Sequence, residues 1–311
     1  MRVSEYSSFT SSLSPAAVQI SPSYAAAKLV ETMQADARPH TFIALTYGTA
    51  ERVAKAARCL GPEIDVILLP PWDCLPYYRV APSKQAMGRR MDALRVWLKP
   101  SWKPRLLITS LGAALQPVPP LSVVRDSEIT LKVGTPLDRA AFREFASRTG
   151  YLEEALADEP GELVFREDVV DIFPAGSSAP MRIVLDDDDR IEELRFYDPD
   201  TQRTTETVNQ MTFGPASELI LNEILVPADR RAVSVEDQML HAYGKMPTLF
   251  DVVSDSPICL QDGWESKLDE LIATIQDATD ARAQARLGAR RELEPFYLDK
   301  DRCLEGIARF D

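Results

Sequence analysis

Residues 159–197 read E-P-G-E-L-V-F-R-E-D-V-V-D-I-F-P-A-G-S-S-A-P-M-R-I-V-L-D-D-D-D-R-I-E-E-L-R-F-Y, and they decide the fold of the middle of the chain. The β-branched and aromatic residues fall into short segments separated by Pro, Gly, Ser and a run of Asp. This pattern predicts strands joined by tight turns. The predicted strands are Glu162–Glu167, Val169–Phe173, Met181–Leu185 and Ile191–Tyr197.

Arginines accompany these strands at four positions, namely Arg166, Arg182, Arg195 and Arg203. Successive side chains of a strand point to opposite faces, so charged side chains must point away from the buried face. A set of guanidinium groups on one sheet face indicates a docking surface. An ordinary solvated face that carries charges of both signs is the alternative interpretation.

The region before this β unit alternates between helical and extended patterns. The predicted helices are Tyr24–Ala37, Ala50–Leu60 and Lys84–Leu98, and the predicted strands are Thr41–Thr46, Ile64–Leu69 and Leu106–Thr109. Ile64–Leu69 is an uninterrupted apolar run, which is typical of a parallel strand buried on both faces. Alternating strands and helices predict a doubly wound parallel α/β layer.

Length and charge limit the classes of function that the chain can have. A chain of 311 residues is long for one core, so two or three packed domains are expected. Its 48 acidic and 35 basic residues give a formal charge of −13, which repels a polyanion. We therefore expect weak or no DNA binding. Arg89, Arg90 and Arg95 could form a small basic ridge, but an ordinary solvated helix face is the favoured interpretation. Trp72 is expected to pack in the interior, and stacking on a base is the alternative.

The residue types that bind metals are sparse or scattered. The histidines are His40 and His241, and the cysteines are Cys59, Cys74, Cys259 and Cys303, with no C-x-x-C pair. We therefore expect neither a zinc site nor a disulfide framework. Asp186–Asp189 could bind Mg²⁺, but its place between two predicted strands favours a hairpin turn with solvated charges, so no metal is expected.

No segment of the sequence has the pattern of a membrane anchor. No apolar run approaches the roughly 20 residues that cross a bilayer, and the first residues lack the apolar core of a signal peptide. A cytoplasmic location without membrane contact is expected.

Several motifs carry a resemblance to a known family: E-P-G-E at 159–162, V-V-D-I-F-P-A-G-S at 169–177, P-M-R-I at 180–183 and F-Y-D-P-D-T-Q-R at 196–203. They resemble the UvrA-binding domain shared by UvrB and bacterial transcription-repair coupling factors. Similarity to the coupling factors continues in P-P-W-D-C-L-P-Y at 70–77, in A-P-S-K-Q-A-M-G-R-R-M-D-A-L at 81–94 and in L-L-I-T-S-L-G-A-A-L-Q at 106–116. The resemblance implies a UvrB-like, degenerate P-loop-NTPase-like parallel α/β layer that is interrupted by a small β-rich UvrA-binding domain.

The resemblance also implies a division of the chain. We expect a flexible amino terminus at 1–20 and the first half of the α/β domain at 21–125. The UvrA-binding domain is then expected at 126–216. The second half of the α/β domain, ending in a long helix, is expected at 217–311.

The resemblance further implies a partner and a site. In the family, two arginines sixteen residues apart and an aromatic residue four positions later contact UvrA. The corresponding positions here are Arg166, Arg182 and Asp186, so an acidic residue replaces the aromatic one. Glu167 and Asp168 add two more carboxylates beside the first arginine. If the chain is a fragment, a carboxy-terminal domain of the same protein is a second possible partner.

The turn after the first predicted strand decides whether an enzyme is expected. It reads L-T-Y-G-T-A-E-R at 45–52, with Gly48 as its single glycine and no G-x-x-x-x-G-K-[ST] pattern. Thr49 opens the next predicted helix, either as a cap or as a phosphate contact. We expect no cofactor and a non-catalytic interaction module that recruits UvrA. The alternatives are a UvrB or helicase-type ATP-dependent fragment and an autoinhibitory scaffold domain of a larger translocase.

We predict that the chain neither binds nor hydrolyses ATP, because this turn lacks both the phosphate-binding lysine and the glycine-rich cradle. Isothermal titration calorimetry with Mg-ATP measures this directly. A dissociation constant in the low micromolar range would contradict the prediction.

Overall fold

The computed structural model describes residues 21–36, 38–78, 80–220, 234–254, 256–285 and 295–309. The predicted flexible amino terminus, residues 1–20, lies outside the described residues. Within these ranges, none of the helices combines the length and the apolar character that crossing a membrane requires.

The strands of the described residues are β1 His40–Ala44, β2 Asp65–Leu68, β3 Arg105–Ser110, β4 Ile129–Lys132, β5 Leu152–Glu153, β6 Glu162–Phe165, β7 Val169–Ile172, β8 Met181–Leu185, β9 Ile191–Tyr197, β10 Thr204–Val208, β11 Gln210–Phe213 and β12 Ile258–Leu260. The four strands predicted in residues 159–197 are therefore confirmed as β6 to β9, with β6 and β7 ending slightly earlier than expected.

The helices of the described residues are α1 Pro22–Ala35, α2 Tyr47–Leu60, α3 Lys84–Leu98, α4 Leu111–Ala114, α5 Leu121–Asp126, α6 Arg139–Arg148, α7 Val235–Tyr243, α8 Leu249–Val252, α9 Trp264–Ala285 and α10 Lys300–Ala308. The bounds predicted for α3 are confirmed, and α9 is the long helix expected near the end of the chain.

The chain forms two compact units whose segments alternate along the sequence. The first unit comprises the described residues as far as Pro71, residues 99–118 and the described residues from Pro247 onward. The second unit comprises residues 72–98 and the described part of 119–246. The bounds differ from those expected from the sequence, because 72–98, 119–125 and the described part of 217–246 belong to the β-rich unit.

The first unit is built on a parallel sheet with the strand order β12-β1-β3-β2. Thr41 of β1 is paired with Leu107 of β3 on one side and with Ile258 of β12 on the other. The hydroxyl groups of Thr41 and Ser256 are also hydrogen-bonded at 2.8 Å. Because β12 follows the β-rich region in sequence, the α/β layer is interrupted and then resumed, as the resemblance implied.

The strand β2 differs from its prediction. Ile64–Leu69 was expected to be buried on both faces, but among the described strands β2 pairs only with β3 and lies at the edge of the sheet. Of its four residues only Ile67 is buried. The apolar run reflects packing against α2, not a central position in the sheet.

The second unit contains an antiparallel meander with the strand order β10-β9-β8-β7-β6-β5, in which only β5 and β6 are parallel. In β8 the side chains of Met181, Ile183 and Leu185 are buried, whereas Arg182 and Val184 are half-buried on the opposite face. The buried face packs on α6 through a cluster of aromatic rings. The rings in mutual contact are Phe142, Phe145, Tyr151, Phe165 and Phe213.

Helix α3 was expected in the parallel α/β layer, and this placement is wrong, since α3 belongs to the second unit. A side chain at Gly88 would overlap the Cβ atom and the backbone of Ala175. A side chain at Gly176 would likewise overlap the carboxylate of Asp92. The missing side chains therefore allow the helix to approach the P-A-G-S turn at backbone distance.

A buried charge network replaces the basic ridge that the sequence suggested on α3. Arg90 has no exposed surface, and its Nε donates to Glu218 Oε1 at 2.8 Å. Trp72 is also buried, as predicted, and its indole Nε1 donates to the same oxygen at 2.6 Å. Burial raises the pKa of the Glu218 carboxyl, and the Arg90 guanidinium opposes that rise. Arg95 pairs with Asp92 at 3.0 Å, so these arginines do not form a free basic face.

We predict that Gly88→Ala destabilises the protein by about 1–3 kcal/mol, because the added methyl group would meet the backbone of Ala175 in a close-packed contact. Gly48→Ala in α2 is the matched control, since nothing lies within 4 Å of its added Cβ. The control should be neutral or stabilising by up to about 1 kcal/mol. Urea-unfolding midpoints measure both effects, and an unchanged midpoint for Gly88→Ala would contradict the close contact.

Candidate protein-interaction surface

The exposed face of the six-stranded sheet places arginines next to one another. Arg182 of β8 is paired with Asp171 of β7 on one side and with Arg195 of β9 on the other. Arg166 directly follows β6, and its guanidinium also reaches Asp171. Three of the four arginines singled out in the sequence therefore lie on one face, while Arg203 lies beside the turn between β9 and β10.

The carboxylate of Asp171 joins two of these arginines. Its side chain is buried, although it lies on the face opposite the apolar core. Asp171 Oδ1 accepts from Arg182 Nε at 2.7 Å, and Oδ2 accepts from Arg182 Nη2 at 3.0 Å and from Arg166 Nη1. A buried carboxylate requires such partners, because an unpaired charge away from water is strongly unfavourable. We call Asp171, Arg166 and Arg182 the arginine pair site.

The Arg182 side chain has two further contacts, with Tyr197 and with Gln202. Its guanidinium carbon lies 4.9 Å from the centre of the Tyr197 ring, and Nη2 donates to Gln202 Oε1 at 3.2 Å. The hydrogen bonds to Asp171 raise the pKa of Arg182, so its charge is permanent. Burial raises the pKa of Tyr197 to about 12, so the ring carries no charge at neutral pH.

The residues of the D-P-D-T-Q-R motif, 198–203, form the turn between β9 and β10. Asp198 Oδ1 accepts from the backbone N–H of Thr201 at 2.8 Å and from its hydroxyl at 2.9 Å, which closes the turn. Gln202 has a φ of 58° and donates its amide to the Pro199 carbonyl at 2.9 Å. This conformation brings the Gln202 amide oxygen onto Arg182, so the motif contributes to the arginine pair site.

Arg139 at the start of α6 holds the backbone next to Arg166. Its guanidinium donates to the carbonyl of Glu167 at 2.7 Å and to the carbonyl of Arg166. It also lies 3.5 Å from the carboxylate of Asp189. Arg139 thus connects the β6–β7 turn to the β8–β9 turn. The side chains of Glu167 and Asp168, the two carboxylates next to Arg166, are exposed.

The side chain of Asp186 stabilises the β8–β9 turn by accepting hydrogen bonds from its backbone. Its Oδ1 accepts from the backbone N–H of Asp188 at 2.9 Å and of Arg190 at 2.8 Å. Asp189 completes the turn with a φ of 55°. The acidic run therefore forms the hairpin turn that the sequence predicted. The expectation that it binds no metal stays a prediction.

The carboxylate that they share separates Arg166 and Arg182 from Arg195, the third arginine of this face. The side chain of Arg166 is 42% exposed and that of Arg182 is 28% exposed, although both contact the buried Asp171. Both guanidinium groups therefore keep surface that faces solvent. Arg195 instead lies 3.1 Å from Glu193 on its own strand, an exposed pair that contributes little.

The start of α2, where Thr49 was expected as a cap or a phosphate contact, has a different geometry. Helix α2 begins at Tyr47, and its cap is Thr46, whose side chain accepts from the Thr49 N–H at 3.3 Å. Thr49 is consequently the third residue of the helix and not the residue that opens it. Only Leu45 and Thr46 separate β1 from α2.

This surface lies within a part of the chain that matches a known domain family. Residues 129–219 match the family described as the UvrB interaction domain. The chain carries a UvrB interaction domain. All three members of the arginine pair site lie inside the matched range, as do Tyr197 and Gln202.

Similarity to curated proteins extends beyond the UvrB interaction domain. The chain is 31% identical over 170 residues to the transcription-repair-coupling factor of Escherichia coli, and the alignment covers 55% of the chain and 14% of that protein. It is 31% identical over 175 residues to the factor of Myxococcus xanthus and 25% identical over 172 residues to that of Bacillus subtilis. The chain thus corresponds to about a seventh of these relatives' length, and it resembles their amino-terminal region, as the motifs indicated.

Sequence reasoning found Arg166 and Arg182 through the resemblance but missed the residues that position them. Asp171, Tyr197 and Gln202 were quoted as parts of motifs without a role. One signal was available for Asp171, which is a single acidic residue within the apolar strand V-V-D-I. A buried acid in a strand requires a cation on a neighbouring strand.

We predict that Asp171→Asn destabilises the second unit by about 1–3 kcal/mol, because the amide has no charge and only one acceptor oxygen, and its NH₂ group cannot accept from a guanidinium group. Glu193→Gln is the control, since its carboxylate pairs with Arg195 on the same face but is 51% exposed. The control should change the free energy of unfolding by less than about 0.5 kcal/mol. Chemical denaturation followed by circular dichroism compares the variants, and equal effects would show that Asp171 does not organise this face.

Proposed function

We propose that the chain is a non-catalytic protein-interaction module of transcription-coupled nucleotide excision repair that recruits UvrA through its UvrB interaction domain. The observation that carries the proposal is the arginine pair site, which lies within the matched domain and exposes two guanidinium groups held in a fixed geometry. The names of the similar coupling factors support the same pathway.

The chemistry of the site favours an acidic protein surface as its partner. One carboxylate is shared by two guanidinium groups, so the arginine pair site carries a net positive charge. Guanidinium groups form paired hydrogen bonds with carboxylates, and these bonds are stronger than those between neutral groups. Because Asp171 and Tyr197 already hold Arg182, little side-chain entropy is lost when a partner binds.

DNA is a weaker candidate for this surface. Affinity for a duplex comes from several phosphate contacts, and the chain carries a formal charge of −13. The arginines of α3 do not supply a second basic patch, because Arg90 is buried on Glu218 and Arg95 is paired with Asp92. We therefore retain weak or absent DNA binding as part of the proposal.

The proposal that the chain is not an enzyme rests on the turn between β1 and α2. Two residues connect these elements, and a P-loop needs a longer glycine-rich turn and a lysine to hold phosphates. A UvrB or helicase-type ATP-dependent fragment is the alternative, and calorimetry with Mg-ATP separates it from the proposal. In a second alternative, an autoinhibitory scaffold, the arginine pair site would bind another part of a larger translocase.

We predict that Arg166→Ala and Arg182→Ala each weaken binding to the cognate UvrA by about 1.5–3 kcal/mol, or roughly 10- to 150-fold in Kd. The reason is the loss of charge-assisted hydrogen bonds to acidic groups of the partner. Double substitution should abolish a measurable complex in surface plasmon resonance. The exposed Arg89→Ala on α3 is the matched control and should bind like the wild type.

Three results separate the interpretations. Equal UvrA binding by the wild type and the double variant would refute the proposed site. Absent binding by the wild type that Asp186→Phe restores would show that the acidic replacement has spoiled the surface. If neither the wild type nor the Asp186→Phe variant binds UvrA, recruitment of UvrA is refuted and the autoinhibitory scaffold is favoured.

A further inference from the structure

A lysine of the second unit is half-buried without an acidic partner. Lys84 is the first residue of α3, and its side chain is partly enclosed. Two other enclosed cations of this helix are paired, Arg90 with Glu218 and Arg95 with Asp92. Among the described residues, no carboxylate pairs with Lys84 and no acceptor takes a hydrogen bond from its amine. A cation that is partly removed from water without such a partner is unfavourable.

Two glycines form the groove that holds the Lys84 side chain. A Cβ atom at Gly161 would lie 2.8 Å from Lys84 Cβ and 3.1 Å from its Cγ. At Gly150 an added Cβ atom would lie 3.4 Å from Lys84 Nζ and 2.6 Å from Ser217 Cβ. The aliphatic stem therefore runs over Gly161 and brings the amine next to Gly150. Gly161 and Gly150 have φ values of 92° and 87°, which other residues rarely adopt, so the groove depends on both glycines.

The acidic residues that adjoin this groove in sequence bind backbone groups instead of the amine. Asp73 Oδ1 accepts from the N–H of Ser83, the residue before Lys84, at 2.9 Å. Glu162 follows Gly161, and its Oε2 accepts from the N–H groups of residues 158 and 159 at 3.2 and 2.9 Å. Lys84 Nζ is not among the fully enclosed polar atoms of the described residues, so solvent reaches it.

The start of α3 also disfavours a positive charge. The free N–H groups of the first helical turn carry partial positive charge, so cations are less favourable at this end of a helix than at the other. No acidic residue lies in the first turn of α3. Burial lowers the pKa of the Lys84 amine below its usual range, and no neighbouring charge opposes the shift. The neutral amine is therefore more populated at a given pH than it is in a solvated lysine.

A neutral lysine amine is a nucleophile, whereas the ammonium has no lone pair to donate. With an acyl phosphate, the Nζ lone pair attacks the carbonyl carbon and a new N–C bond forms. The bond between this carbon and the phosphate oxygen breaks, phosphate leaves with the electron pair, and the amine proton is released to water. The product is an uncharged amide, so the reaction removes a charge from a place that disfavours one.

We propose that Lys84 is an acylation site, at which the amine takes a small acyl group from an acyl phosphate. The glycine groove fixes the stem of the side chain and leaves the amine accessible without a competing carboxylate. Gly150 and Ser217 adjoin the amine, which favours a small acyl group over a bulky one. The site lies outside the arginine pair site, and the reaction requires neither UvrA nor a nucleotide.

The test treats the full chain with acetyl phosphate and follows the acetylation of each lysine by peptide mass spectrometry at several pH values. Lys84 should react severalfold faster than Lys55, the matched control, which is exposed on α2. The rate at Lys84 should also reach half of its maximum at a lower pH, because its neutral form appears earlier. In the urea-unfolded chain the two rates should become equal, because the groove is lost.

A second measurement tests the charge itself. Lys84→Met keeps an unbranched stem with a similar helix propensity but removes the charge, so it should raise the midpoint of urea unfolding. Lys55→Met should leave the midpoint unchanged.

Three results would overturn the proposal: a Lys84 rate no higher than that of Lys55 in the folded chain, a preference for Lys84 that persists in urea, or a lower unfolding midpoint for Lys84→Met. None of them bears on the binding of UvrA, so the proposed function would stand in each case.

Discussion

The fold of the second unit depends on the carboxylate of Asp171, which is buried although it lies on the charged face of the sheet. Asp171 lies on β7, next to β6 and β8, and its two oxygens bind guanidinium groups from both sides. A shift of β7 by one residue would move Asp171 into the apolar core, where no cation is available. The charge cluster and the apolar cluster on the reverse face therefore select the same strand register.

Local sequence patterns were sufficient for much of the architecture. Alternating apolar residues and the Pro, Gly and Asp turns predicted β6 to β9, and alternating helices and strands predicted the parallel sheet. The meander depends on contacts between residues that are near in sequence, whereas the strands of the parallel sheet are distant and were predicted from their own apolar patterns. The arginine pair itself came from the family resemblance, since a charged residue on a strand has the same local pattern on any solvated face.

Long-range pairs limited the sequence prediction. Arg90 lies beside an apolar stripe on α3 and was read as part of a solvated ridge, because Glu218, its partner, is 128 positions away. Helix α3 was assigned to the wrong layer for a similar reason. Its side that packs on the P-A-G-S turn contains Gly88, and a glycine gives no hydrophobic signal. The sequence showed that Asp186 lies in a turn. It did not show which of the four aspartates accepts the backbone hydrogen bonds that close the turn.

The arginine pair site and the buried network around Glu218 use the same chemistry for different ends. In both, one carboxylate accepts hydrogen bonds from two side chains, which are distant in sequence at Glu218 and come from β8 and the end of β6 at Asp171. Glu218 is fully enclosed, so its network joins parts of the second unit and offers nothing to a partner. At Asp171 the two guanidinium groups remain partly exposed. The same ion pairs therefore stabilise the fold and leave positive charge on the surface.

The parallel sheet of the first unit has a consequence for biosynthesis. β1 and β12 are adjacent strands, yet the hydroxyl contact beside them joins residues 215 positions apart. During translation β1 is made long before β12. Until β12 is made, the N–H and C=O groups on that side of β1 remain unpaired, as at an open sheet edge. The β-rich unit can complete its own, more local strand pairing in that interval. A nascent chain of this protein is therefore most exposed to intermolecular strand pairing in the interval before β12 emerges.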